Sequence, residues 1–139
     1  MRRLRRPTGP QRPAKEKENT LGAANNYASS LKALGRFEEA KSVLRKMMPV
    51  TQRVLGESHK LTLTIRKLGA MALYSDPDAT LDDLREAKTT LEEIERMARR
   101  VMGGAHPITE GIEDELQNAR AALARKTRSQ LLSPPPGGA

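Results

Sequence analysis

The two histidines, His59 and His106, have the widest chemical range of any side chains in this chain, because imidazole can ligate a metal or transfer a proton near neutral pH. They are separated by 47 positions, and the chain contains no cysteine. A structural zinc site usually needs four Cys or His ligands, so this pair makes a poor metal site. We expect no metal, no cofactor and no disulfide.

Both histidines end the same short phrase. Arg-Val-Leu-Gly-Glu-Ser-His at 53–59 returns as Arg-Val-Met-Gly-Gly-Ala-His at 100–106. Each copy closes a helical pattern, and each is followed by a threonine, Thr62 or Thr109, that opens the next one. A signal that recurs at the same point of two helix pairs predicts stacked repeats. The histidines are therefore expected to be loop residues between repeats, and we expect no enzymatic activity.

Apolar residues recur at intervals of three and four, as on one face of a helix, and no strand pattern is found. The fold class predicted is all-α, a right-handed stack of antiparallel helical hairpins with about five helices. The helices are expected at about Thr20–Leu34, Phe37–Val54, Leu61–Tyr74, Leu81–Val101 and 108–125. A kink or restart is expected in the second of these near Pro49, because proline has no N–H to donate.

The domain organisation follows from the same pattern. Polar, proline-containing ends at 1–18 and 126–139 are predicted to be disordered tails, and 19–125 to be one helical repeat domain. Within that domain the repeats are expected at about 20–61 and 62–107, followed by a terminal helix at 108–125. The apolar seam of 81–101 is interpreted as packing within the stack, with a coiled coil as the alternative.

The net charge of +8 is concentrated at the N-terminus, where residues 1–15 carry six basic side chains and no acidic one. The remainder of the chain is nearly neutral, so nucleic acid is not the expected partner of the folded part. Three interpretations of the basic tail stay open: a disordered tail without a specific function, an organelle-targeting leader and an arm that binds nucleic acid nonspecifically. No apolar run is long enough for a membrane span, and we expect a cytoplasmic protein.

A family resemblance rests on three phrases of the first repeat. Thr-Leu-Gly-Ala-Ala-Asn-Asn-Tyr-Ala begins at Thr20, Leu-Gly-Arg-Phe-Glu-Glu-Ala-Lys begins at Leu34, and the histidine phrase closes the unit. Together they resemble one tetratricopeptide repeat of the long, roughly 42-residue kinesin-light-chain type. The second repeat is more divergent, with no Asn pair, no Gly at the turn and an inserted loop at Ser75–Thr80. Its second half is also similar to algal repeat proteins.

The resemblance implies a noncatalytic module that binds a protein partner, either a peptide or a helix, in a concave groove, with no small-molecule substrate. Residues expected to face that groove by position are Asn25, Asn26, Ser29, Lys32 and Lys67. Residues expected to pack the helices and repeats together are Ala28, Phe37, Ala40, Leu44, Ala70 and Ala87. Two alternatives stay open: a nucleic-acid-binding accessory protein that uses the Arg-rich tail, and a self-associating fragment of a longer array.

Overall fold

The computed structural model describes residues 11–132, and side chains from residue 16 onward. Five helices and no strand are found in this range, which confirms the all-α class. The helices are α1 (Gln11–Ala33), α2 (Phe37–Leu55), α3 (Lys60–Ser75), α4 (Leu81–Met102) and α5 (Pro107–Leu132). The chain divides into a first unit ending at Gly69 and a second unit beginning at Ala70. In the first unit α1 packs on α2, and in the second α4 packs on α5.

The two outer helices are longer than the periodicity predicts. α1 begins at Gln11 instead of about Thr20, and α5 reaches Leu132 instead of about 125. Pro13 lies in the first turn of α1, where an N–H has no partner inside the helix, and the following AKEKE segment consists of good helix formers. Residues 126–132 contain neither glycine nor proline. The rest of the two predicted tails, 1–10 and 133–139, lies outside the described residues.

The turn between α1 and α2 is made at Gly35. Gly35 has a φ of +79°, and its N–H donates to the carbonyl of Lys32 at 2.9 Å. The N–H of Arg36 donates to the carbonyl of Leu31 at 2.8 Å. This pair of bonds is the Schellman motif, which satisfies the last carbonyls of a helix and needs a left-handed residue at that point. A hairpin of α1 and α2 follows directly.

Most of the residues expected to pack the repeats are buried. Ala28 and Ala40, on the two helices of the first hairpin, have no exposed surface. Leu44, Ala70 and Ala87 are also at least 96% buried, whereas Phe37 is only half-buried. Intervals of three and four residues also place Tyr27 on the apolar face of α1 with Ala24 and Leu31. Tyr27 is nevertheless 55% exposed, because this turn of the helix presents Ala28 and Leu31 inward. Whether each of these side chains packs one helix on another or one repeat on the next stays a prediction.

Pro49 does not restart α2, which is continuous from Phe37 to Leu55. The proline lies on the exposed side of the helix, together with Arg45. Water can therefore reach the Arg45 carbonyl, which loses its usual donor when proline stands four residues later. The expected restart is wrong for this reason, while a kink stays a prediction.

The seam of α4 is buried within the chain itself. Its buried members are Leu84, Ala87, Leu91, Ile94 and Ala98. Only the last predicted member, Val101, is substantially exposed, at 53%. The seam is therefore occupied by intramolecular packing and offers little apolar surface to a second copy, so it favours neither the coiled coil nor self-association through 81–101.

The start and the charged surface of α4 follow local rules with one exception. Thr80 and Asp83 form a reciprocal capping box, the side chain of each bonding the backbone N–H of the other. Arg99 pairs with Glu95 at 2.6 Å and also with Glu113 of α5, as the helical spacing predicts for the first pair. The same spacing also predicts an ion pair of Glu92 with Arg96, and that prediction is wrong. The Glu92 carboxylate instead contacts the side chains of Lys88 at 3.0 Å and Arg120 at 3.5 Å.

Candidate peptide-binding groove

The glycines of the two repeated phrases end α2 and α4 in the same way. Gly56 has a φ of +92° and Gly103 a φ of +93°, in the left-handed region that favours glycine. The N–H of Gly56 donates to the carbonyl of Gln52 at 3.0 Å, and that of Gly103 to the carbonyl of Arg99 at 3.0 Å. The repeated phrase therefore encodes a repeated backbone turn.

The histidines of these two segments stand immediately before α3 and α5. The Nδ1 atom of His59 accepts the N–H of Leu61 at 3.0 Å, and the Nδ1 atom of His106 accepts the N–H of Ile108 at 3.1 Å. In each case the histidine immediately precedes the helix and bonds its second residue, which is the role of an N-cap. The prediction that these histidines are structural loop residues is confirmed. The remaining nitrogen of His59, Nε2, lies 3.7 Å from Oε2 of Glu18 on α1.

An open groove of about 720 Å³ lies beside this capped end of α3, entirely within the first unit. One wall is a face of α1, and the other wall is the first turns of α3. The pair Glu18 and His59 is part of its lining. The other lining residues are Asn19, Gly22, Ala23 and Asn26 of α1 and Lys60, Leu61 and Thr64 of α3.

The α1 wall is defined by helical spacing. Its four lining residues stand at positions i, i+3, i+4 and i+7, which places them on one face of the helix. Asn19 and Asn26 are exposed, and each amide offers donors together with an acceptor. Gly22 lies between them without a side chain, and a Cβ built there would meet nothing within 4 Å. The wall therefore combines polar groups with open space.

This arrangement suits the backbone of an extended peptide. A peptide in the extended conformation presents N–H and C=O groups at regular intervals, and an amide side chain can bond both. Leu61 and Ala23 add a small apolar area, and Lys60 supplies an exposed positive charge.

The structure brings only some of the predicted groove residues together. Asn26 lines the groove, and Ser29 is exposed one turn further along α1. Lys67 follows Thr64 by three residues and is half-buried, as is Lys32 in the last turn of α1. Asn25 does not line the groove.

The side chain of Asn25 differs from that of its neighbour. Its Oδ1 atom is buried and accepts no hydrogen bond within the part of the chain that the structure describes. Two adjacent residues on a helix are 100° apart, so the Asn pair cannot point both amides into one groove. Of the residues that line the groove, the sequence predicts only Asn26. A search for the i−7 and i−4 neighbours of Asn26 would have found two of the others, Asn19 and Gly22.

The groups whose pKa is clearly displaced lie away from the groove. Burial, reinforced by a hydrogen bond to Glu115, raises the pKa of the Tyr74 hydroxyl above its ordinary value. In the same unit, the hydrogen bond from Lys88 and the nearby Arg120 lower the pKa of Glu92. The first shift follows from burial and a hydrogen bond between α3 and α5, and the second from an ion pair within α4 that Arg120 of α5 joins.

The comparison with protein families agrees with the geometry of the first unit. Residues 20–59 match the family model described as a tetratricopeptide repeat. Residues 20–59 therefore form a tetratricopeptide repeat. The match runs from the middle of α1, through α2, to the N-cap histidine of α3, and it confirms the resemblance to the long repeats of the kinesin-light-chain type.

The match leaves the second repeat and the resemblance to algal proteins as predictions, because it ends at His59. Neither a curated protein nor a solved structure matches the chain. None of the helices in residues 11–132 is long and apolar enough to cross a membrane. Tetratricopeptide repeats generally mediate protein–protein interaction.

Proposed function

We propose that this protein is a noncatalytic binding module that holds an extended peptide in the groove between α1 and the start of α3. The proposal rests on the open wall that α1 forms with Asn19, Gly22 and Asn26. This wall faces the first turns of α3. The two amides are exposed and spaced by two helical turns, so they can bond a peptide backbone at two points about 10 Å apart along α1.

Lys67 extends the same site along α3. It lies on the face of Thr64, since the two positions are three residues apart, and its ammonium group would contact an acidic side chain or carboxylate of the peptide. The proposed ligand is therefore an extended segment whose backbone is gripped by amides and whose acidic group approaches Lys67. Ser29 and Lys32 are assigned to the far end of this surface.

A selected peptide tests the proposal. A phage library of random 12-residue peptides is selected on the full chain, and the recovered peptide is synthesised and its Kd measured by calorimetry. Asn26→Ala should weaken binding about 3- to 10-fold, because a net hydrogen bond contributes roughly 0.5–1.5 kcal/mol. Lys67→Glu should weaken it at least as much. Asn25→Ala should have the smaller effect, since its Oδ1 is buried.

Two matched variants serve as controls. Lys46→Glu makes the same charge change as Lys67→Glu on an exposed position of α2, and Asn118→Ala removes an exposed amide from α5. Both controls should leave the Kd within twofold of the wild type. If Asn26→Ala and Lys67→Glu also leave it there, or if the controls weaken binding equally, the groove assignment is wrong.

A further inference from the structure

The positive charge of the folded part is not evenly distributed, although its sum is near zero. Residues 40–56 carry four basic side chains, Lys41, Arg45, Lys46 and Arg53, and no acidic one. Residues 57–115, in contrast, carry eight basic and thirteen acidic side chains. A near-neutral total therefore conceals a helix, α2, whose last four turns are purely basic.

Three of these cations lie on one face of α2. Arg45, Lys46 and Arg53 are exposed, and so is Pro49 between them. On a helix these four positions fall within an arc of about 100°, because each residue advances the direction by 100°. The buried residues of α2, Ala40, Leu44, Met47 and Thr51, lie on the opposite side. We call the face formed by Arg45, Lys46, Pro49 and Arg53 the basic face.

The cations of this face differ from Arg85 and Arg99 of α4, which form ion pairs within their own helix. On α4, Arg85 pairs with Asp82 and Arg99 with Glu95, so exposed basic groups are interleaved with acids. Within the described residues, no ion pair involves Arg45, Lys46 or Arg53. Like charges on one face repel each other without compensation, and an anionic partner would relieve that repulsion.

The composition of the basic face selects among anionic partners. It carries no aromatic side chain and, apart from Pro49, no apolar one. A protein interface usually depends on buried aromatic or aliphatic anchors, and single-stranded nucleic acid is held by stacking on aromatics. A nucleic-acid duplex needs neither, since its phosphates are bound by Lys and Arg from a surface that stays hydrated.

The dimensions of the face also fit a duplex backbone. Arg45 and Arg53 are eight residues apart, or about 12 Å along the helix axis. That distance corresponds to the rise of about three to four base pairs, so three cations can each reach a different phosphate. We propose that the basic face of α2 binds the phosphate backbone of a nucleic-acid duplex, independently of the peptide groove.

A salt titration tests this proposal on the full chain. Binding of a fluorescein-labelled 24-base-pair DNA duplex is followed by anisotropy between 50 and 200 mM NaCl. The triple variant Arg45→Gln, Lys46→Gln, Arg53→Gln should lower the slope of log K against log salt by about 2 to 3, because each phosphate contact contributes about 0.9. Its affinity at 50 mM NaCl should fall at least tenfold. Circular dichroism verifies that the variant stays helical.

A control variant with the same loss of charge shows whether weaker binding results from loss of the basic face or only from the lower net charge of the protein. Arg85→Gln, Arg96→Gln, Arg100→Gln removes three exposed cations from α4 and should change the slope by less than one. Equal slopes for the two triple variants would overturn the proposal. So would a wild-type chain that ignores the duplex, or one that binds only vesicles of phosphatidylcholine and phosphatidylserine, since the partner would then be a lipid surface.

Discussion

The N-cap role of His106 makes a sharp prediction about stability. The single bond from the N–H of Ile108 to its Nδ1 atom, at 3.1 Å, satisfies one of the donors that the start of α5 leaves without an intrahelical partner. His106→Ala removes this acceptor and should lower the free energy of unfolding by about 1 kcal/mol. For a chain of this size the corresponding decrease in Tm is about 4 °C.

An asparagine at the same position separates capping from packing. His106→Asn shortens the side chain but restores an oxygen acceptor, and Asn is among the preferred N-cap residues. We therefore expect His106→Asn to recover most of the stability that His106→Ala loses, although the imidazole ring is half-buried.

The assay is urea denaturation followed by circular dichroism, combined with amide hydrogen exchange at Ile108. Exchange at this amide should be faster in His106→Ala than in the wild type and in His106→Asn. His106 does not act as an N-cap if the free energy of unfolding of His106→Ala lies within about 0.3 kcal/mol of the wild-type value, or if His106→Asn is as unstable as His106→Ala.

Two further predictions concern glycine geometry and ion pairing. Gly22→Ala should stabilise the protein by about 0.5–1 kcal/mol, since the new Cβ meets nothing in a helix, whereas Gly35→Ala should destabilise it by about 1 kcal/mol at its φ of +79°. Opposite signs in thermal denaturation check this, and equal signs would contradict it. Lys88→Gln should raise the pKa of Glu92, because the Lys88 ammonium group holds that pKa down. The ionised Glu92 carboxylate stabilises the fold above the pKa that it has in the unfolded chain, and this stabilisation is lost as the pH falls through its folded-state pKa. In Lys88→Gln the loss should therefore occur at a higher pH. An NMR titration of the Glu92 carboxyl measures this shift, and Arg96→Gln, which the structure does not pair with Glu92, should leave it unchanged.

Much of the fold could be predicted because it depends on local signals. The turn at Gly35 requires a left-handed residue, and the seam of α4 is written in intervals of three and four. Contacts between helices were harder to predict. Glu92 meets Arg120 from another helix, which spacing within α4 cannot reveal. The limits of α1 were missed because proline and charge were read as disorder, although the first turn of a helix tolerates proline.

The candidate groove could be predicted only in part for a related reason. The family register identified Asn26, but it treated Asn25 as equivalent, and helical geometry turns the two amides in different directions. Gly22 could not be recognised as a groove residue until the opposite wall was known. Because Gly22 has no side chain, it leaves open space in the groove. That space can be recognised only when the position of the first turns of α3 is known.

The most direct measurement of the central claim is an NMR chemical-shift map of the 15N-labelled chain titrated with the selected peptide. We expect the side-chain amide of Asn26 and the backbone amides of Gly22 and Thr64 to shift most, in proportion to saturation. Largest shifts on the basic face of α2, with the amide of Asn26 unmoved, would contradict it.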